Sequence, residues 1–370
     1  MEYLALARKN ARAAIYELKG EYGDNLTRYI ASTPESRELC NRPEITGVRY
    51  TDLLEGAVTS VLSLLPIAPS LRRLDHHTVG VIHFLRGSLN FGMRRALSRA
   101  YGFNAHTSSF ITSQRDRDKY GRWFIRDNQY RKIVIPPRAT LFFADVIATG
   151  VTISNGMEII VQVAKNGGTP IRQIVFFTIG CHKLEKLLRE YSRRLKEIFP
   201  GYERTVAVYL EGKFHLADSK TEARIKIQGT DLMRFPAILA PEFELSQYES
   251  LSNALERCVI YDAGTRTFET DDYLRKLEAY WMEVSREAER GWTLEEALKE
   301  RWPAAEYALP FAGFREAKSA RWRGVGDAFL RRLHRAHLAR WAKGFPQRAK
   351  TPRALAELCA ARLKEIGRAR

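Results

Sequence analysis

The stretch TLFFADVIATGVT, residues 140–152, ends an apolar run on one carboxylate and follows it with a loop of small residues. Asp145 is the one ionisable side chain in it. The carboxyl end of a buried parallel strand is where open α/β sheets bind their ligands. Ala148, Thr149, Gly150, Val151 and Thr152 come next. Small residues let backbone N–H groups approach an anion closely. A helix starting there adds a dipole that favours negative charge. Thr149, Thr152 and Ser154 add hydroxyl donors. The set suits one terminal phosphate, with a carboxylate about one loop-width away for sugar hydroxyls or a hydrated metal ion.

Two further stretches carry complementary chemistry. GVIHFLRGSLNFG, residues 80–92, reads as a strand, a tight turn and a helix start. Its turn holds Arg86, Gly87 and Ser88, and a guanidinium beside exposed amides suits a polyanion. Residues 113–131, between the two, hold Arg115, Arg117, Lys119 and Arg122 with Tyr120, Gly121 and Trp123.

This ordered set resembles the PRPP-binding signature of the type I phosphoribosyltransferases, enzymes that use 5-phosphoribosyl 1-diphosphate (PRPP). In that signature a hydrophobic strand runs into two acids, two hydrophobic residues and a Thr-Gly-x-Thr or Thr-Gly-Gly-Ser loop. Here the acid pair falls on Ala144 and Asp145, and the hydrophobic pair on Val146 and Ile147. Ala148 to Thr152 form the 5′-phosphate loop, most similar to that of the uracil phosphoribosyltransferases. Two positions depart from the pattern: Ala144 stands for the first acid and Val151 for the second glycine.

The resemblance spans residues 76–215 or so. It implies Mg²⁺-dependent phosphoribosyl transfer from PRPP to an acceptor, with release of pyrophosphate. Asp145 would hold the ribose hydroxyls. Arg86, Gly87 and Ser88 would hold pyrophosphate, and residues 113–131 would be a flexible loop closing over the sugar, with Arg115 on the leaving group. No protein ligand to Mg²⁺ is assigned. The acceptor would be chosen by a hood outside the sheet, for which residues 211–236 with Lys213, His215, Asp218 and Asp231 are candidates. Family members are often homo-oligomers. A reading from another class is a non-catalytic or regulatory protein on the same scaffold, binding PRPP or a nucleotide, associated with nucleic acid or serving a defence or toxin system.

Other chemistries lack their motifs. There is no GxGxxG after a strand, no GxxxxGK[ST], no GxSxG and no metal-ligand cluster at useful spacing. Cys40, Cys181, Cys258 and Cys359 are scattered, which points to reduced, buried thiols.

The elements that must position these residues follow from periodicity. Residues 78–213 alternate apolar runs with helical patterns: strands at 78–85, 104–112, 139–145, 171–180 and 204–212, helices at 88–102, 152–168 and 182–199. Continuous apolar strands separated by helices predict an α/β fold, a doubly wound and mostly parallel sheet. Residues 1–75 read as a helical addition, with amphipathic spacing over 3–19 and over 51–65, the latter capped by Thr51. Residues 237–370 read as a helical, basic addition around a core of 76–236.

The chain has 370 residues, is 45% hydrophobic and carries a net charge of +17. Residues 318–370 hold fifteen Lys and Arg against three acids, so twelve of those charges lie in the tail. On a helical wheel of GDAFLRRLHRAHLARWA, Leu330, Leu333, Leu338 and Trp341 form an apolar arc that includes His334 and His337. Arg331, Arg332 and Arg335 fall opposite, either a solvated face or a surface for nucleic acid. The N-terminus lacks the apolar run of a signal peptide and no spanning stretch is evident, which predicts a cytoplasmic protein with no membrane partner.

Overall fold

A computed structural model describes residues 2–20, 26–85, 87–120, 123–148, 150–227, 231–256, 269–302, 309–341 and 345–370. Its strands are β1 (Tyr3–Lys9), β2 (Ala14–Lys19), β3 (Leu26–Ser32), β4 (Val79–Leu85), β5 (Thr107–Arg117), β6 (Trp123–Lys132), β7 (Ala139–Ile147), β8 (Ile171–Cys181), β9 (Arg204–Leu216), β10 (Leu232–Leu239) and β11 (Trp322–Arg323). All join one mixed, mostly parallel sheet of order β11-β1-β2-β3-β9-β8-β7-β4-β5-β6, with β10 paired to β9.

The first helices are α1 (Pro34–Asn41), α2 (Gly47–Leu64), α3 (Ala68–Leu71) and α4 (Met93–Tyr101). Next come α5 (Val151–Asn166) and α6 (His182–Ile198) between core strands, then α7 (Pro241–Ser246) and α8 (Leu251–Leu255). The C-terminal set is α9 (Thr270–Glu289), α10 (Leu294–Arg301), α11 (Phe311–Arg321), α12 (Asp327–Trp341), α13 (Phe345–Ala349) and α14 (Pro352–Arg368).

The helices cover both faces of the parallel strands. β4 shows this within two residues. Phe84 points to α5, where a Cβ at Gly156 would lie 2.0 Å from Phe84 Cε1. Glycine there lets α5 press directly onto the strand. His83 faces the other way and lines a cavity with Met93 and Arg94 of α4. α6 joins α5 on the first face: Tyr191 Oη donates to the Ser154 carbonyl at 2.9 Å, and Arg194 meets Glu158 at 2.8 Å. α2 joins α4 on the second: Tyr101 Oη donates to the Leu62 carbonyl at 2.6 Å.

Four expectations are corrected. The helix over 3–19 is instead the β1–β2 hairpin. Asn10 turns the chain: its Oδ1 accepts from the Arg12 and Ala13 N–H groups, both at 2.8 Å. An Asx turn competes with helix, and pairing to the sheet edge through β3 decides the outcome. The helix over 51–65 starts earlier, at Gly47 with Thr46 as N-cap, while Thr51 Oγ1 donates to the Val48 carbonyl. Residues 88–102 are not one helix: Gly92, at φ +56°, separates a 3-10 turn (Gly87–Phe91) from α4. The basic stretch 113–131 is not a loop throughout. It forms most of an antiparallel hairpin, with Arg115 opposite Ile125 and Arg117 opposite Trp123.

One apolar core runs from Leu4 to Ile366. The C-terminal region is therefore docked rather than appended. Leu355, Cys359 and Ile366 of α14 are fully buried, and Arg362 reaches Glu44 at 3.0 Å and Glu256 at 2.8 Å. β11 pairs with β1 and covers that edge of the sheet.

Candidate active site

The parallel strands β5-β4-β7-β8-β9 run 2-1-3-4-5 in chain order, so the winding reverses between β4 and β7. Ligand crevices in open α/β sheets form at such a reversal, outside the carboxyl ends of the strands. Here the sheet parts at that place. Pairing of β4 with β7 runs from Val79–Thr140 to Ile82–Phe143 and stops. β4 stays paired with β5 to Leu85–Thr112, and β7 with β8 to Ile147–Gly180. The stretches after β4 and β7, carrying the candidate residues, leave from the two lips of this opening.

On the β7 lip, Asp145 is half-buried and lies level with Thr178 of β8. Its Oδ1 accepts the Val146 N–H at 2.8 Å, which orients the carboxylate. Ala148 is nearly buried, and its carbonyl accepts from Cys181 Sγ at 3.3 Å. Gly150 takes φ +76° as the N-cap of α5, and no side chain among the described residues caps this helix. The left-handed angle requires glycine, and the first N–H groups of α5 stay available to an acceptor. Val151 and Thr152 occupy the first turn, both half-buried. Thr149 lies outside the described residues.

On the β4 lip, Gly87 and Ser88 open the 3-10 turn, with Ser88 buried. Arg86 lies outside the described residues. Arg115 is placed by its backbone on β5, the strand beside β4, and Arg122 lies outside the described residues.

Ala144 is 1% exposed, within the core, and pairs in register with Phe177. The first acid position of the signature is thus a packing position here. Among the described residues no group of three or more His, Cys, Asp or Glu could hold a metal ion. Asp145 is the carboxylate that the candidate residues bring to the β7 lip.

The four polar candidates for the acceptor hood all have local partners. Lys213 bonds Glu2 at 2.5 Å and Glu185 at 3.1 Å. His215 Nε2 lies 3.1 Å from Thr221 Oγ1, and Asp218 accepts from Thr221 Oγ1 at 3.0 Å. Asp231 is buried and accepts the Ile227 N–H at 2.7 Å. The segment closes on β10, a strand the sequence pattern did not reveal.

Glu211 was missed, although RTVAVYLEG carries the same signal as the β7 stretch: an apolar run ending on an acid. It is fully buried on β9 at φ +64°. Its carboxyl accepts from Ser32 Oγ at 2.6 Å, the Thr33 N–H at 3.1 Å and Ser36 Oγ, around the start of α1. Burial pushes its pKa up to about 7, against the pull of Arg37, Ser32, Ser36 and the Thr33 amide. Between the ordinary value of 4.5 and about 7, the folded chain keeps a proton that the unfolded chain has lost. This group's contribution therefore falls as pH rises through that window, by roughly 3 kcal/mol in all. Chemical denaturation at about pH 5 and pH 8 should show that loss, and Glu211→Gln should remove it.

The tail arginines divide by environment. Arg331, Arg332 and Arg335 are exposed on α12, opposite the buried Leu330 and Leu333. His334 and His337 are buried, His334 with Nε2 at 3.0 Å from the Leu309 carbonyl. Leu338, expected in the apolar arc, is instead 38% exposed, and the Trp341 side chain lies outside the described residues. Cys40, Cys181 and Cys359 are buried free thiols, and Cys258 lies outside the described residues. No helix among the described residues is long and apolar enough to cross a membrane. No protein-family model matches the chain, and a search of curated proteins finds no match to it.

Proposed function

We propose that the chain transfers a phosphoribosyl group from Mg²⁺-bound PRPP to an acceptor, with release of pyrophosphate, in the cytoplasm. One observation carries this reading: the sheet parts between β4 and β7, at its winding reversal, and the two stretches with phosphate chemistry leave from its two lips. The first-turn N–H groups of α5 would take the 5′-phosphate, with Gly150 keeping the approach open. Asp145 would accept hydrogen bonds from ribose hydroxyls and hold the sugar as positive charge develops at C1. Gly87 and Ser88, with Arg86, would hold pyrophosphate. Arg115 stands on the adjoining strand, where the β5–β6 hairpin would screen the sugar from water.

Mg²⁺ would enter with PRPP. A single carboxylate fits that mode, since the ion keeps most of its waters and takes the remaining ligands from substrate oxygens. When bound, the ion neutralises charge on the leaving group.

Incubation with PRPP, Mg²⁺ and a panel of acceptors, followed by pyrophosphate release, tests the proposal. Release that depends on one acceptor class supports transfer. A second reading rests on Ala144. Its burial leaves one acid where most relatives in the resembled family keep two, which favours a protein that binds PRPP or a nucleotide without turnover. Binding with no release under any acceptor selects that reading.

The exposed face of α12 carries the nucleic-acid reading. α14 is part of the core, so point changes on α12 test this reading rather than removal of the C-terminal helices. Changing Arg331, Arg332 and Arg335 together to Gln should weaken oligonucleotide binding and lower its salt dependence, by about 0.9 in log–log slope for each phosphate no longer neutralised. Binding that is absent, or insensitive to salt, removes this reading.

A further inference from the structure

The face of the sheet opposite α5 holds a cavity of about 550 Å³ between β4, β5 and α4. That volume lies within the range of small-molecule pockets. Phe103, Phe110 and Leu89 give it apolar walls, and Arg94 gives it charge. Among the described residues no carboxylate lines it.

Its most unusual member is His83. The side chain is 4% exposed, and its ring stacks on Phe110 at 5.0 Å and 17°. Nδ1 is buried with no hydrogen-bond partner among the described residues. A buried polar atom left unpaired costs free energy and calls for an explanation. Burial, helped by Arg94 and His106, pushes the pKa of His83 down to about 4, so the ring is neutral near pH 7. A neutral ring offers Nδ1 as one donor or one acceptor.

Arg94 adds a preference for negative charge. The start of α4 at Gly92 already has the buried Glu55 carboxylate beside it, so the charge that faces a ligand comes from Arg94. Arg94 Nε donates to His106 Nε2 at 3.3 Å, which holds the guanidinium at the cavity wall. Arg95 is already paired with Glu55 at 3.4 Å, so Arg94 is the better placed cation.

We propose that this cavity binds a small planar anion, with its ring packed along Phe103, Phe110 and His83, its carboxylate or phosphate on Arg94, and a polar ring substituent on His83 Nδ1. The site is separate from Asp145, on the other face of β4, and does not rest on the phosphoribosyl reading. It adjoins the turn after β4 through Leu89 and Gly92.

Calorimetric titration of the full chain with 4-hydroxybenzoate and with 4-nitrophenyl phosphate, each an aromatic anion with a polar ring substituent, tests the proposal and distinguishes the two anion types. At least one should bind at one site per chain with a millimolar or tighter Kd. Arg94→Gln and His83→Phe should each weaken it about tenfold or more. Arg94 is exposed on α4, so its variant keeps the fold and separates binding from any packing loss at His83. Asp145→Asn should bind the probe as the wild type does. No binding by either probe, binding unchanged in Arg94→Gln, or binding lost in Asp145→Asn would overturn the proposal.

Discussion

Replacing Asp145 by Asn is expected to lower the proposed phosphoribosyl transfer by about a hundredfold or more while leaving the fold intact. The carboxylate is half-buried at the end of β7, and its Oδ1 accepts the Val146 N–H. Asparagine keeps an Oδ1 acceptor for that bond, so the backbone is not disturbed. Under the proposed function, what is lost is the negative charge that would face a sugar becoming electron-poor as its bond to pyrophosphate breaks. Removing one such preorganised electrostatic partner costs on the order of 10²–10³ in rate. Steady-state pyrophosphate release gives the number, and an unchanged melting curve shows that the loss is chemical. Activity that survives unchanged would mean that Asp145 is not the ribose ligand.

The largest effect on stability is expected at Arg362, far from that crevice. The guanidinium is buried between Glu44, Glu256 and Glu365, and Trp281 Nε1 also donates to Glu256, at 3.2 Å. These bonds tie α14 to the segment between α1 and α2 and to the residues after α8. Arg362→Ala would leave Glu256 buried without its ion-pair partner and Glu44 with only the exposed Arg42, at 3.0 Å. Breaking such a cluster from one side costs about 3–5 kcal/mol, far more than the cluster's net contribution relative to an apolar replacement. Urea unfolding should show that loss. A change under about 1 kcal/mol would indicate that the tail is loosely held, as expected for a simple basic extension.

The parallel core was legible because its strands are buried on both faces. Runs such as ATLFFAD and IRQIVFFTIG are short, apolar, enriched in β-branched and aromatic residues and closely preceded by proline or glycine, which separates them from buried helix, and the helices between them carry clear apolar stripes. The N-terminal strands were not legible. YLALARK and AIYELK have apolar spacing that fits a helix as well as an edge strand, and the deciding partner, β9, lies far along the chain. β10 escaped for the same reason: it exists through its register with β9. The hairpin at 113–131 reads as a loop because its residues are charged, yet antiparallel pairing tolerates polar residues where a face meets water.

The site divides similarly. Asp145 and the glycine of its loop were visible as an acid and a turn closing an apolar run. The parting of β4 from β7 was not, because it is a property of strand register. Ala144 reads as a missing acid in sequence and as a packed core position in the fold, so the difference concerns where the lip of the crevice begins. His83 is a lone histidine in an apolar run, which in sequence is indistinguishable from core packing.

Calorimetric titration of the full chain with PRPP in the presence of Mg²⁺ tests the central claim most directly. One saturable site per chain is expected, competed by pyrophosphate and by ribose 5-phosphate, which would fill its two ends. The absence of saturable binding, or binding that neither fragment displaces, would contradict it.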